Sequence, residues 1–264
     1  MSLSIRVLGS GTSAGVPTIG CSCATCTSTD PRDTRLRPSI LIRAADAGGE
    51  VRYVLIDTTP DFRAQMLAAR IPRLDAIVYT HDHADHVLGL DDVRPFNYRQ
   101  GVIPLYAAAD SLRTIQRVFS YAFDERKQLT THVPKLDAHV IGDEPFDVMG
   151  LRFEPIPVMH GKQRIYGFRF GGAAYLTDHS EVPEESMAKL RGLDVLFLDA
   201  LRNREHPTHS TVAHSMETAR RLGARRTFFT HMCHDLMHEE TERQLPEGMH
   251  LAYDGLEIEV NAAV

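Results

Sequence analysis

Six consecutive positions, His81-Asp82-His83-Ala84-Asp85-His86, put three imidazoles and two carboxylates directly behind the apolar run Leu74-Asp75-Ala76-Ile77-Val78-Tyr79-Thr80. The run is short, β-branched and aromatic, which predicts a buried strand, so the histidines begin where that strand ends. Few folds accept such a cluster. Open α/β sheets do, because their sites lie at the carboxyl ends of parallel strands. His81 and His83 stand two residues apart and can turn inward together, whereas Asp85 and His86 come on the next turn and face a second point. One loop can therefore serve two metal ions. The chain is rich in histidine, with 14. Even so, chance alone would produce this pattern at a level of roughly a few in a thousand.

The same context recurs three times. His160 follows Pro155-Ile156-Pro157-Val158-Met159, Asp178 follows Ala174-Tyr175-Leu176-Thr177, and His231 follows Arg226-Thr227-Phe228-Phe229-Thr230. Four apolar runs thus end on metal-ligating groups, three of them through a threonine whose hydroxyl can hold a neighbour. At 264 residues, with 43% hydrophobic and 24% charged residues, the expectation is one α/β domain over residues 1–264 with a core that needs no disulfides. No apolar run approaches the length of a membrane span, and Met1–Arg6 lacks the apolar core and cleavage site of a secretory signal. The expected location is cytoplasmic, with no membrane partner. A net charge of −6 argues against long nucleic acid, whose binding is mostly phosphate neutralisation. A small anionic substrate remains compatible, since bound metals supply local positive charge.

Cys21, Cys23 and Cys26 lie within six residues, a spacing that suits three corners of a zinc tetrahedron in a loop at about 20–27. The fourth corner must come from far along the chain, and Cys233 and His234 are the candidates. Ser4–Leu8 reads as a strand entering a glycine-bearing loop, residues 9–17, whose amides could face a site. As a phosphate-binding motif that loop is weak, and a tight turn explains it equally well. Ser39–Arg43 and Val51–Asp57 read as paired strands, and a helix from Pro60 to about Arg70 puts Phe62, Met66 and Leu67 on one face. Asp57, at a strand end, can orient a ligand histidine or cap a turn. A second helix, Ser111–Phe123, carries an apolar stripe at Leu112, Ile115, Val118 and Phe119. His209 stands beside the predicted start of a helix over Val212–Leu222, capped by Ser210 or Thr211. There it is placed to act as a general acid. Arg94, Arg99, Arg202 and Arg204 fall in predicted loops, where they either border the site and pair with a phosphate or, the reading favoured here, are exposed arginines with no special role.

With these residues in view, the chain resembles the metallo-β-lactamase superfamily over nearly its full length, on His81-x-His83-x-Asp85-His86, His160, Asp178 and His231. Cys21-x-Cys23-x-x-Cys26 with His234 is similar to the branch containing the phosphoribosyl cyclic phosphodiesterase of phosphonate breakdown. His209-Ser210-Thr211 resembles an element of transfer-RNA 3′-processing endonucleases. The resemblance implies a four-layer αβ/βα sandwich, two sheets face to face with helices outside. It also implies that His81, His83 and His160 hold one ion, that Asp85, His86 and His231 hold another, and that Asp178 bridges them. Cys21, Cys23, Cys26 and His234 would hold a structural zinc. The active-site donors are nitrogen and oxygen, which suits zinc, manganese or iron.

The expected activity is hydrolysis of a small or cyclic phosphodiester by a hydroxide held between two divalent ions, with His209 protonating the leaving alkoxide. A homodimer follows from the resemblance alone. Three rivals remain. A lactone or thioester hydrolase of the same fold would use the same ligands. A transfer-RNA processing enzyme needs a basic, protruding arm, which this acidic chain lacks. A non-catalytic carrier would be expected to lose ligands, and none is missing.

Overall fold

In the computed structural model, which describes residues 2–45, 48–124, 126 and 132–261, fourteen strands form two seven-stranded sheets. The first sheet has the order β14-β1-β2-β3-β4-β5-β6. Its members are β1 Ser2–Gly9, β2 Ser39–Ala45, β3 Val51–Ile56, β4 Ala76–Val78, β5 Ile103–Ala108, β6 Leu136–Ile141 and β14 Glu257–Val260. The second has the order β13-β12-β11-β10-β9-β8-β7. It comprises β7 Phe146–Val148, β8 Leu151–His160, β9 Gln163–Phe170, β10 Ala173–Leu176, β11 Val195–Asp199, β12 Arg226–Thr230 and β13 Met249–Leu251.

Each sheet changes character midway. β14, β1, β2 and β3 pair antiparallel, and β3 to β6 run parallel. In the second sheet β7 to β10 are antiparallel, and β10 to β13 are parallel. The parallel strands β4, β10 and β11 are buried along their whole length, as sheets covered on both faces require.

Between the sheets lies a core that includes Ile5, Ile42, Phe153, Phe168, Phe170 and Phe197. Burying each such phenyl ring contributes about 2–3 kcal/mol. The outer faces carry separate cores. Leu55, Phe62, Ile77, Leu105, Leu112 and Ile115 pack under α1 (Phe62–Ala69) and α4 (Ala109–Val118). On the other side, Leu176, Met187, Leu196, Leu198, Ala219 and Phe229 pack under α5 (Glu184–Lys189) and α6 (Val212–Leu222). Shorter α-helices among the described residues include α2 (Ala84–Val87), α3 (Arg94–Gln100) and α7 (His238–Glu242). This is the expected four-layer sandwich.

Two local expectations need correction, and of the two readings of the glycine-bearing loop one falls away. Leu67 is 60% and Val118 45% exposed; the inner face of α1 is Phe62, Gln65 and Met66, and that of α4 is Ser111, Leu112 and Ile115. The strand before the histidine loop has only three residues. The amides of the glycine-bearing loop do not face a site: those of Gly11, Thr12, Gly15 and Val16 are donated to Leu36, Met232, Thr12 and Arg35 carbonyls. That loop is a packing device. A Cβ at Gly9 would lie 1.9 Å from the Arg37 carbonyl oxygen, so only glycine permits the approach.

Candidate metal centre

The site forms where the parallel halves of both sheets end. β4 delivers the histidine loop, β8 delivers His160 as its final residue, and β10, β11 and β12 deliver Asp178, Asp199 and His231. Asp57, Asp178 and His231 take the left-handed backbone conformation, with φ of 66°, 56° and 59°. Asp and His tolerate this region better than most side chains, at a cost on the order of 1 kcal/mol. The turn swings the Asp178 and His231 side chains off their strands into a shared space, and that of Asp57 against Thr80 and His86.

Two groups of donor atoms gather there. Ligand atoms of His81, His83 and His160 lie within 4.8 Å of one another, as do those of Asp85, His86, Asp178 and His231. Asp178 Oδ2 faces both groups. It is 3.1 Å from His231 Nε2, 3.3 Å from His86 Nε2 and 3.9 Å from His81 Nε2.

Four imidazoles, those of His81, His86, His160 and His209, are held with one nitrogen committed. Thr80 donates its amide and its hydroxyl to Asp57 at 2.9 and 2.8 Å. The same hydroxyl oxygen accepts from His81 Nδ1 at 3.0 Å. His86 donates Nδ1 to Asp57 Oδ2 at 2.8 Å, His160 to the Thr208 carbonyl at 2.9 Å, and His209 to Asp199 Oδ2 at 2.7 Å. A donating Nδ1 leaves the lone pair on Nε2. Asp57 thus takes the orienting role, and two of the three threonine hydroxyls hold a neighbour: Thr177 likewise donates to Asp178 Oδ1 at 2.6 Å.

His81 Nε2, His86 Nε2, His231 Nε2 and Asp85 Oδ2 are buried and have no hydrogen-bond partner. Burying several polar atoms unpaired costs about 1–3 kcal/mol each. A divalent cation would satisfy them together, so the donor set fits metal. The electrostatics agree. Burial works against charge on His231, yet Asp178 and Asp85 raise it to about 10. Asp178 is held well below the usual carboxylate range despite its burial, by His231 and His86. The pocket is built to balance anionic carboxylates with positive charge.

Sequence reading passed over Asp199. It is fully buried, accepts from His209, and lies 3.7 Å from His231 Nδ1. Burial raises its carboxyl to about 7 and lowers the His209 imidazole to about 3. Its signal was available, since it ends the apolar run Val195-Leu196-Phe197-Leu198 just as the other site residues end theirs. His209 stands between the two donor groups, its ring centroid 4.8 Å from that of His160 and 4.6 Å from that of His231. Thr211, and not Ser210, caps α6 by accepting from the His214 amide.

A second cluster lies apart from the first. His234 Nδ1 is 3.2, 3.6 and 3.4 Å from the sulfurs of Cys21, Cys23 and Cys26. The Thr18 amide donates to Cys26 Sγ at 3.3 Å. Cys233 is outside the group, and its sulfur instead accepts from the Asp235 amide. Arg35, almost fully buried, reinforces the junction by donating to the carbonyls of Cys233 and Leu236 at 2.9 and 2.6 Å.

Three of the four arginines read as loop residues are engaged with neighbours. Arg94 pairs with Asp91, Arg204 pairs with Asp235, and Arg202 donates to the Arg204 and Glu205 carbonyls. A cleft that His81 shares is lined by Arg113, Arg117 and Arg164.

Comparison with known proteins places this arrangement. A model of the β-lactamase superfamily domain matches residues 52–232. A crystal structure of a new diphosphatase from the PhnP family superposes with a TM-score of 0.91 at 51% identity, covering 100% of this chain and 99% of that one. An octanoyltransferase of Porphyromonas gingivalis is 40% identical over 253 residues, 95% of this chain, but the chain spans only 50% of that relative's length. Zinc-bound PqqB from Methylobacterium extorquens shares the fold, with a TM-score of 0.73 at 21% identity over 97% of this chain and 99% of that one.

Proposed function

The chain belongs to the β-lactamase superfamily of metal-dependent hydrolases, and on that premise we propose that it hydrolyses the phosphoric diester bond of a small anionic substrate. The observation that carries the reading is the His209–Asp199 pair beside a doubled set of metal donors. A departing alkoxide needs a proton, and this pair is placed to give one. The likeness to a diphosphatase supports the same reaction centre, because both reactions substitute at phosphorus and differ in the leaving group.

His81, His83 and His160 would hold one divalent ion, and Asp85, His86 and His231 the other, with Asp178 shared. When bound, such ions supply Lewis acidity at the phosphoryl oxygens and acidify water near neutral pH. The chain's own groups do the rest. Asp57, Thr80 and the Thr208 carbonyl keep His86, His81 and His160 in the Nε2-facing tautomer. Asp199 fixes His209 with Nδ1 occupied, so its Nε2 exchanges the proton. An anionic substrate adds negative charge beside His209 and favours the imidazolium that burial alone disfavours. Cys21, Cys23, Cys26 and His234 would hold a structural zinc.

A second reading, hydrolysis of an acyl thioester or lactone, is favoured by the likeness to an octanoyltransferase. One assay set separates the two: metal analysis, then bis-p-nitrophenyl phosphate, an alkyl phosphodiester and an acyl thioester, each with zinc and with manganese. Diester cleavage lost in Asp178→Ala supports the proposal. In His209→Ala, p-nitrophenolate release should persist, since that leaving group needs little protonation, and alkyl diester cleavage should fall by about 10²–10⁴. Thioester cleavage by a metal-loaded protein inert to both diesters would overturn it.

A further inference from the structure

Between β11 and α6 the chain folds into a closed loop over residues 202–211. Its neck is fastened twice, since the Leu201 amide donates to the Ser210 carbonyl at 3.0 Å and the Val212 amide to the Arg202 carbonyl at 3.1 Å. Inside it, Arg202 donates Nε to the Arg204 carbonyl and Nη2 to the Glu205 carbonyl, at 3.3 and 3.1 Å. The loop also packs down on the turn between β8 and β9, where a Cβ at Gly161 would lie 2.8 Å from Thr208 Cγ2. Bracing at neck, interior and base makes the loop a fixed platform for the side chains it carries.

Two of those side chains are the imidazoles of His206 and His209, with ring centroids 5.0 Å apart. His209 is the inner ring, its side chain only 11% exposed and set against His160 and His231. His206 is the outer, partly exposed ring. Its Nδ1 is 3.4 Å from the Thr208 amide nitrogen and 3.2 Å from the Thr208 hydroxyl oxygen. An amide can only donate, so Nδ1 accepts and the ring proton sits on Nε2. Burial, His209 and Arg202 all hold this imidazole below its ordinary range, which keeps it neutral. The Nε2–H itself makes no hydrogen bond among the described residues. A braced, neutral donor therefore stands beside the histidine placed to protonate a departing alkoxide. Thr208 ties the two together, its carbonyl holding His160 and its amide holding His206.

We propose that His206 is a leaving-group specificity residue, its Nε2–H donating to an oxygen on the alcohol that departs beside His209. The inference rests on the phosphodiesterase reading. It narrows the substrate class to diesters whose leaving alcohol is a polyol, with a second hydroxyl next to the ester oxygen. A neutral donor suits a neutral hydroxyl. A second anion at that point would call for a cation, and the guanidinium of Arg202 is committed to the loop carbonyls.

The test uses two isosteric diesters, bis(2-hydroxyethyl) phosphate and dipropyl phosphate, which differ in whether the leaving alcohol carries a second oxygen. Two variants divide the functions of the ring. His206→Gln keeps a donor near the Nε2 position and loses the acceptor, whereas His206→Asn keeps an acceptor near the Nδ1 position and loses the donor. In the metal-loaded wild type, kcat/KM should favour the hydroxylated diester. Because that diester also has the better leaving alcohol, the change in the ratio between proteins is what reports on His206. The ratio should fall about 3- to 10-fold in His206→Asn, as loss of one neutral hydrogen bond predicts, and largely persist in His206→Gln. A ratio unchanged in His206→Asn, or lost equally in both variants, would overturn the donor role while leaving the phosphodiesterase reading in place. So would metal loss in His206→Gln beside a fully wild-type His206→Asn, since His206 would then only brace Thr208 and, through it, His160. If no diester is cleaved, calorimetric binding of 2-hydroxyethyl phosphate and propyl phosphate to the metal-loaded proteins decides. A wild-type preference for the hydroxylated ester that His206→Asn abolishes supports the contact, and equal affinities overturn it.

Discussion

A single carboxylate, Asp57, collects the Thr80 amide, the Thr80 hydroxyl and His86 Nδ1. It touches none of the space between the donor groups, so its effect is to aim them. Asp57→Asn keeps the shape and removes the charge that fixes His86. Metal affinity should fall by about 10- to 100-fold, as read by competition with a fluorescent chelator; an unchanged affinity would show that packing alone orients the ring. The candidate ligands were legible in the sequence because each ends an apolar run, and a run of that kind can be recognised without knowing its neighbours. Asp199 ends such a run too, but nothing nearby in sequence announces that His209 will come to rest upon it. The amides of the glycine-bearing loop were open to misreading for the same reason: the Thr12 amide goes to Met232, far along the chain.

At the level of elements, the parallel strands divide their labour between their two ends. Their carboxyl ends carry Asp57, Asp178, Asp199 and His231; the opposite end of the second sheet carries Asp194, just ahead of β11. Asp194 accepts from Arg225 Nε at 2.5 Å, Arg226 Nη2 at 2.8 Å and the Asn261 amide at 2.8 Å, so it pins β11 and β12 to the chain just past β14. Burial would raise its carboxyl, but these donors lower it to about 2. A depressed carboxylate stabilises above its unfolded pKa of about 3.9 and loses that contribution as pH falls through that value towards about 2. Asp194→Asn should therefore cost roughly 2 kcal/mol at neutral pH and flatten the decline between those values. Urea melts at pH 7, 4 and 2.5 measure both, and parallel wild-type and variant curves would refute it. Helix α6 offers a milder case. Removing its cap with Thr211→Ala should cost about 1 kcal/mol by the same melts, and no loss would mean that the flanking contacts hold the turn. Helix periodicity revealed the inner residues Leu112, Ile115 and Phe119, but it could not assign Leu67 or Val118, which turn outward although their neighbours Met66 and Phe119 are buried.

Over the whole molecule, the two metal clusters should separate experimentally. Chelation should lower the melting temperature, since ions that bind only the folded state stabilise it by mass action. Cys21→Ser should release one ion of about three per chain while the active-site pair stays bound. Activity should then survive at temperatures below a reduced melting point. Emission spectroscopy of purified protein checks the count, and loss of all ions in the variant would mean that the clusters are coupled. None of the described helices is long and apolar enough to cross a membrane. Closure of the cysteine cluster has a consequence for biosynthesis. The three thiols leave the ribosome early, but His234 follows some 208 residues after Cys26, and the outer partner of β1 is β14, which follows later still. A nascent chain stalled before residue 234 holds an open chelate and an unpaired strand edge, so until those residues have been made the first sheet is exposed to oxidation and to edge pairing.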